Sequence, residues 1–195
     1  MRVRKIPSIA LRKEYSMKSL IGVFALAFIC SGCAEIMKTY SVEHQYDEFD
    51  KRTSIYMRNN WLAGYEGLGP ISLGFNIAKQ TDPSGEKLFV MINFQSDDWL
   101  FIREGESLVL LVDGAKLSLS CSQPSRQVLG ADNSTKNTFG RGMCAELATY
   151  PIERSALYLI AYATEVKVKV IGSEHYIDGA FSQNNFAHLR AFVAQ

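Results

Sequence analysis

The chain holds 195 residues, 47% of them hydrophobic and 21% charged, and its 21 Lys and Arg nearly balance its 20 Asp and Glu. Residues 1–32 carry six of those cations (Arg2, Arg4, Lys5, Arg12, Lys13 and Lys18) against Glu14, so residues 33–195 keep 15 basic and 19 acidic groups, a net −4. A mildly acidic body with no Lys/Arg cluster excludes the basic footprint of nucleic-acid binding, and its 163 residues suit one domain with its own core, not two.

An apolar run over 20–29 follows Met17-Lys18 and gives way to Ser31-Gly32 directly before Cys33. A short basic lead, a brief apolar stretch and small residues at a cleavage point make residues 1–32 an export signal. A spanning helix would want about 20 apolar residues, and this run stops sooner. Met17 offers a more compact start than Met1, because residues 1–16 would make a long basic lead.

The sequence Cys30-Ser31-Gly32-Cys33 resembles the lipobox of bacterial lipoproteins, with Cys30 where that motif usually has Leu. The resemblance implies cleavage before Cys33 and acylation of Cys33 on sulfur and amine, a stable tether at ~0.8 kcal/mol per buried methylene. Ala34 stands where an Asp would retain such a protein at the inner membrane, which implies sorting to the outer membrane with the domain facing the periplasm. The outer membrane is thus one expected partner, through the lipid on Cys33, and a protein of the envelope is the other.

With Cys30 removed and Cys33 lipidated, Cys121 and Cys144 remain, an even pair in an oxidising compartment that is expected to form one disulfide. Its loop would contribute roughly 3 kcal/mol by the chain-entropy argument. The pair lacks the Cys-x-x-Cys spacing of redox and metal sites.

Residues 33–52 are polar and mixed in charge, and they read as the lipidated N-terminus and a spacer, with the globular domain over 53–195. Residues 53–62 form the first expected strand. Over 71–79, Ile71, Leu73, Phe75 and Ile77 alternate with Ser72, Gly74 and Asn76, the period of a half-buried strand. The turn composition Thr81-Asp82-Pro83-Ser84-Gly85 then returns the chain into 87–95 as a hairpin. Further apolar runs lie at 99–103 and 107–112. Asp113-Gly114 separates the latter from the alternating 115–121, and this dipeptide signals a type I′ hairpin because both central residues need positive φ.

Residues 122–142, rich in Gly, Asn, Ser and Pro, read as a long polar loop, and 143–152 resumes as strand. Over 153–163, Ala156, Leu159, Ile160 and Ala163 stand at helical spacing, with Leu157 widening the stripe. Val166, Val168 and Val170 alternate with Lys167 and Lys169. A short segment over 176–181 follows, and 182–193 closes the chain as a helix with Phe186, Leu189 and Val193 on one side. The whole predicts a mainly β, antiparallel, sandwich-like domain with one or two short helices, including a C-terminal one.

Chemistry is sparse. His44, His175 and His188 stand in no metal-ligand spacing, no Ser sits in a Gly-x-Ser-x-Gly elbow, and the glycines of 64–70 lead into a strand instead of opening a phosphate-binding helix. No catalytic residue, metal or cofactor is assigned, and the chain is not read as an enzyme. The candidate binding surface is Trp61, Tyr65 and Leu68, a Gly-rich stretch that can present apolar groups at a sheet end. Trp99 and Phe101 are expected in the core, where large aromatic side chains usually lie. A non-catalytic protein-binding or assembly role is the favoured function. The alternative is a domain that binds or hydrolyses lipid, glycan or peptidoglycan fragments, with His175 near its centre.

Overall fold

The computed structural model describes residues 40–63, 71–129 and 143–195, all within the compact unit Lys38–Gln195. Its strands are β1 (Ser41–Asp47), β2 (Arg52–Arg58), β3 (Ile71–Asp82), β4 (Gly85–Ser96), β5 (Gly105–Val112), β6 (Ala115–Cys121), β7 (Ser125–Leu129), β8 (Met143–Ile152), β9 (Val166–Ile171) and β10 (Tyr176–Ala180). Helix α1 (Arg154–Tyr162) joins β8 to β9, and α2 (Gln183–Val193) closes the chain. The strands form a six-stranded sheet, β1-β2-β3-β4-β8-β7, and a four-stranded sheet, β10-β9-β5-β6. Every strand pairing within them is antiparallel. The mainly β, two-sheet fold with two helices is therefore the one the alternation patterns predict.

The reasons are local. Leu73, Phe75 and Ile77 of β3 and Val90, Ile92 and Phe94 of β4 are buried in one core, and β3 and β4 pair without interruption from Ile71↔Ser96 to Asp82↔Gly85. Asp113 and Gly114 take φ of 49° and 84° between β5 and β6, the left-handed pair that this hairpin turn demands. In β9 the valines are buried and Lys167 and Lys169 exposed, as the period of two requires.

Buried polar groups join the parts. A register shift in the β5–β6 pairing between Glu106 and Leu108 leaves Ser107 as an extra residue. Its buried hydroxyl lies 3.0 Å from the Tyr150 hydroxyl of the opposite sheet. Burial, partly offset by that hydrogen bond, pushes the Tyr150 phenol up to about 12. At one end of the domain, the buried carboxylate of Glu146 on β8 accepts the backbone N–H groups of Leu100 (2.6 Å), Phe101 (2.8 Å) and Ile102 (2.8 Å), with Arg126 of β7 at 3.4 Å. The strap so held lies against β9: Ile102 bridges Gly172, and the Leu100 carbonyl occupies the space that a Cβ on Gly172 would need.

Helix α2 is pinned in the same way. Ser182 caps it, its hydroxyl accepting the Asn185 N–H while the Asn185 side chain accepts the Ser182 N–H. The Asn185 amide then donates to Asn60 Oδ1 and to the Trp61 carbonyl, both at 2.8 Å. His188 Nδ1 lies 3.0 Å from the same Asn60 Oδ1, and its ring stacks on Tyr40 at 3.8 Å.

Several sequence expectations are corrected. The Cys121–Cys144 disulfide is not formed, and both cysteines are free thiols. They sit on strands of different sheets in different surroundings. Cys121 is buried at the end of β6, whereas the Cys144 thiol, half-buried on β8, points to the Asp97 carbonyl at 3.8 Å. Among the described residues no helix is long and apolar enough to cross a membrane, and Cys33, on which the expected tether rests, lies outside them. The expected spacer contributes β1, and the expected loop over 122–142 contains β7, whose short edge position removes the need for an apolar alternation. The strand expected over 53–62 breaks at Asn59, φ 59°. Residues 60–62 then pair again with β3 through Phe75 N–H to the Asn60 carbonyl and Leu62 N–H to the Leu73 carbonyl. On α1 the buried residues are Leu157, Ile160 and Ala161, whereas Leu159 faces outward.

Candidate binding surface

The four-stranded sheet turns Leu108, Leu110, Leu119, Val166, Val168 and Val170 to the core and leaves its other face open. Cross-strand partners in an antiparallel sheet share a face, so the register Lys116↔Leu111↔Lys167↔Ala180 lays one row across that surface. The neighbouring row is Ser118↔Val109↔Lys169↔Asp178. Each row thus sets an aliphatic side chain beside lysine, and Leu111 stands between two of them with 41% of its surface exposed. An open groove of about 820 Å³ runs over these residues and reaches Ile171 and Ala63.

The lysines are held to different degrees. Lys167 pairs with Glu165 at 3.1 Å, and Lys169 lies over the Tyr176 ring, 4.2 Å from its centre. Lys116 has no ion-pair partner among the described residues. An aliphatic floor edged by exposed ammonium groups can take an apolar side chain flanked by carboxylates, the chemistry of an acidic protein surface.

The site residues named from sequence are dispersed. Cys33, Tyr65 and Leu68 lie outside the described residues. Trp61 is half-buried and pairs with Gly74 on the open face of the six-stranded sheet, away from the lysine groove. Ala63, two residues on, donates its N–H to the Ala180 carbonyl at 3.3 Å and lines the groove. The Trp61 segment therefore links the two sheets. His175 is exposed on the β9–β10 turn. Among the described residues no group of three or more His, Cys, Asp or Glu is placed to hold a metal ion.

The expected burial of Trp99 and Phe101 is half wrong. Leu100 and Ile102 take the core positions, Trp99 is half-buried, and Phe101 is 45% exposed at φ 53°. That left-handed conformation is costly for an aromatic residue, and the Glu146 carboxylate that accepts three successive N–H groups holds it. Arg126, 5.5 Å over the Phe101 ring, completes an exposed aromatic corner. Positive φ at a Phe leaves no sequence signal.

Protein-family models, curated proteins and solved structures contain no match to this chain.

Proposed function

We propose that this chain is an envelope lipoprotein whose β-sandwich domain, tethered through lipid on Cys33 to the periplasmic face of the outer membrane, binds an acidic partner protein without catalysis. The tether rests on the lipobox resemblance at 30–33 and on Ala34. The binding reading rests on one observation, the open face where Leu111 and Val109 alternate with Lys116, Lys167 and Lys169. Such a face is neither filled by another element among the described residues nor shaped as an enclosed site. Hydrolysis centred on His175 has no comparable support, because that imidazole sits exposed on a turn.

Crosslinking in intact envelopes, followed by identification of captured proteins, tests both parts. Wild type should capture a reproducible partner that Leu111→Glu and the Lys116→Glu/Lys167→Glu pair release, and metabolic labelling with a palmitate analogue should mark wild type and not Cys33→Ala. A partner retained by both face variants would remove the groove from the reading. Absence of label from wild type would remove the lipid.

A further inference from the structure

The open face of the six-stranded sheet has a different chemistry, and nothing in the proposed role uses it. Register places Trp61, Gly74, Asn93, Leu147 and Ser125 in one row across five strand positions. The next row is Ser72↔Gln95↔Ala145↔Gln127, of which Ser72 and Ala145 are buried and Gln95 and Gln127 reach the surface. At about 4.8 Å between strands the first row spans ~19 Å, the reach of an oligosaccharide of several units.

The row is built to be flat at one end and polar at the other. Gly74 has no side chain, and the Trp61 ring fills that space: a Cβ on Gly74 would meet the indole at 3.2 Å. The indole therefore lies down on β3 as a partly exposed apolar plate. Beyond it a groove of about 340 Å³ is lined by Asn93, Gln95, Ser125, Gln127 and the exposed Leu147, floored by Ala145, with the buried Glu146 also on its wall. The side-chain amides of Asn93, Gln95 and Gln127 have no hydrogen-bond partner among the described residues. Arg58, the one cation at the rim, is paired with Glu43 at 2.7 Å.

The two charged residues of that lining are already engaged, Arg58 with Glu43 and Glu146 with Arg126 and the strap N–H groups, so an ion would meet chiefly neutral dipoles, which repay it poorly for its lost hydration. Amides both donate and accept, and hydroxyl and acetamido groups of a sugar ring ask for both. The C–H face of the same ring fits an aromatic plate. We infer that the Trp61–Asn93–Gln95–Gln127 face binds a neutral or N-acetylated oligosaccharide, with the sugar chain crossing the strands from Trp61 to β7.

The full chain titrated with chitohexaose and with maltohexaose, read by isothermal calorimetry and by tryptophan fluorescence, tests this. At least one of the two should bind saturably and alter the fluorescence. Trp61→Ala should weaken it by about tenfold or more, the loss of roughly 1.4 kcal/mol. Asn93→Ala and Gln127→Ala, which remove only half-buried or exposed amides, should each weaken it several-fold while the fold stays intact. Trp99→Phe should keep both the affinity and the fluorescence change. Binding of neither hexasaccharide by the wild type overturns the inference, as does affinity unchanged in Asn93→Ala and Gln127→Ala. Both results are independent of the lysine groove, whose variants should bind sugar like wild type.

Discussion

The two open faces of this sandwich are built by one rule and differ in the charge they present. Each is the outward half of an antiparallel alternation whose inward half fills a shared core. On the four-stranded sheet the outward positions are Lys116, Lys167 and Lys169 around Leu111 and Val109. On the six-stranded sheet they include Trp61, Asn93, Gln95, Gln127 and Leu147, with Arg58 paired to Glu43. A folded core dictates only that outward residues tolerate water, so their charge and shape are free to serve binding, and here they diverge. What the faces share lies beneath them, in the strap at Leu100–Ile102 and in the Ser107–Tyr150 contact.

Removing what is shared should injure both faces, and the largest effect is expected at Glu146. Glu146→Ala leaves three backbone N–H groups without their acceptor and empties a buried site, so stability should fall by about 3 kcal/mol or more. Thermal denaturation should show this as a loss of roughly 6–12 °C. Glu146→Gln should recover little, because its amide nitrogen would face another donor. A loss below about 1 kcal/mol would show that the strap holds without the carboxylate.

Changing one face should leave the other alone. Leu111→Glu and the Lys116→Glu/Lys167→Glu pair should cost at least about tenfold in partner capture while Tm moves by no more than about 2 °C, since exposed substitutions stay near ±0.5 kcal/mol. If either variant also lowered affinity for a hexasaccharide, the two faces would not be independent.

A smaller shared effect belongs to Tyr150→Phe, which removes one inter-sheet hydrogen bond and should cost about 1 kcal/mol in denaturant unfolding. Because the folded phenol is held above its ordinary value, at about 12, its contribution should be complete below pH 10 and lost as pH rises through the folded value. Wild type should therefore weaken between pH 10 and 12 more steeply than Tyr150→Phe.

The smallest effect is expected at His188, whose imidazole is lowered by burial against Tyr40 and Asn60. A lowered His means that the unfolded chain takes up the proton first. Stability should be fullest above about pH 6.5 and decline as pH falls toward the folded value. Melting temperatures from pH 7.5 to 5.5 should slope downward in wild type and less so in His188→Gln. The carboxylates lowered in the fold, Asp82 and Asp113, are held by hydrogen bonds from Ser84 and Thr164 and act in the more acidic range. Equal slopes would place His188 outside the balance.

Sequence by itself determined the fold class, the long β3–β4 hairpin, the Asp113-Gly114 turn, the lysine alternation of β9 and the closing helix. Each of these is a local pattern, a period of two, a period near 3.6 or a turn dipeptide, and local patterns act wherever the segment lies. The tertiary structure alone decided what depends on partners far along the chain. It left Cys121 and Cys144 as free thiols, one buried at the end of β6 and the other half-buried on β8, and it exposed Phe101 by giving three successive N–H groups to a carboxylate more than forty residues away. It also brought Trp61 onto Gly74 by breaking a strand at Asn59 and re-pairing it. Burial and register are properties of the assembled sheets. No segment carries them before its neighbours arrive, and for that reason both candidate faces could be located only in the folded domain.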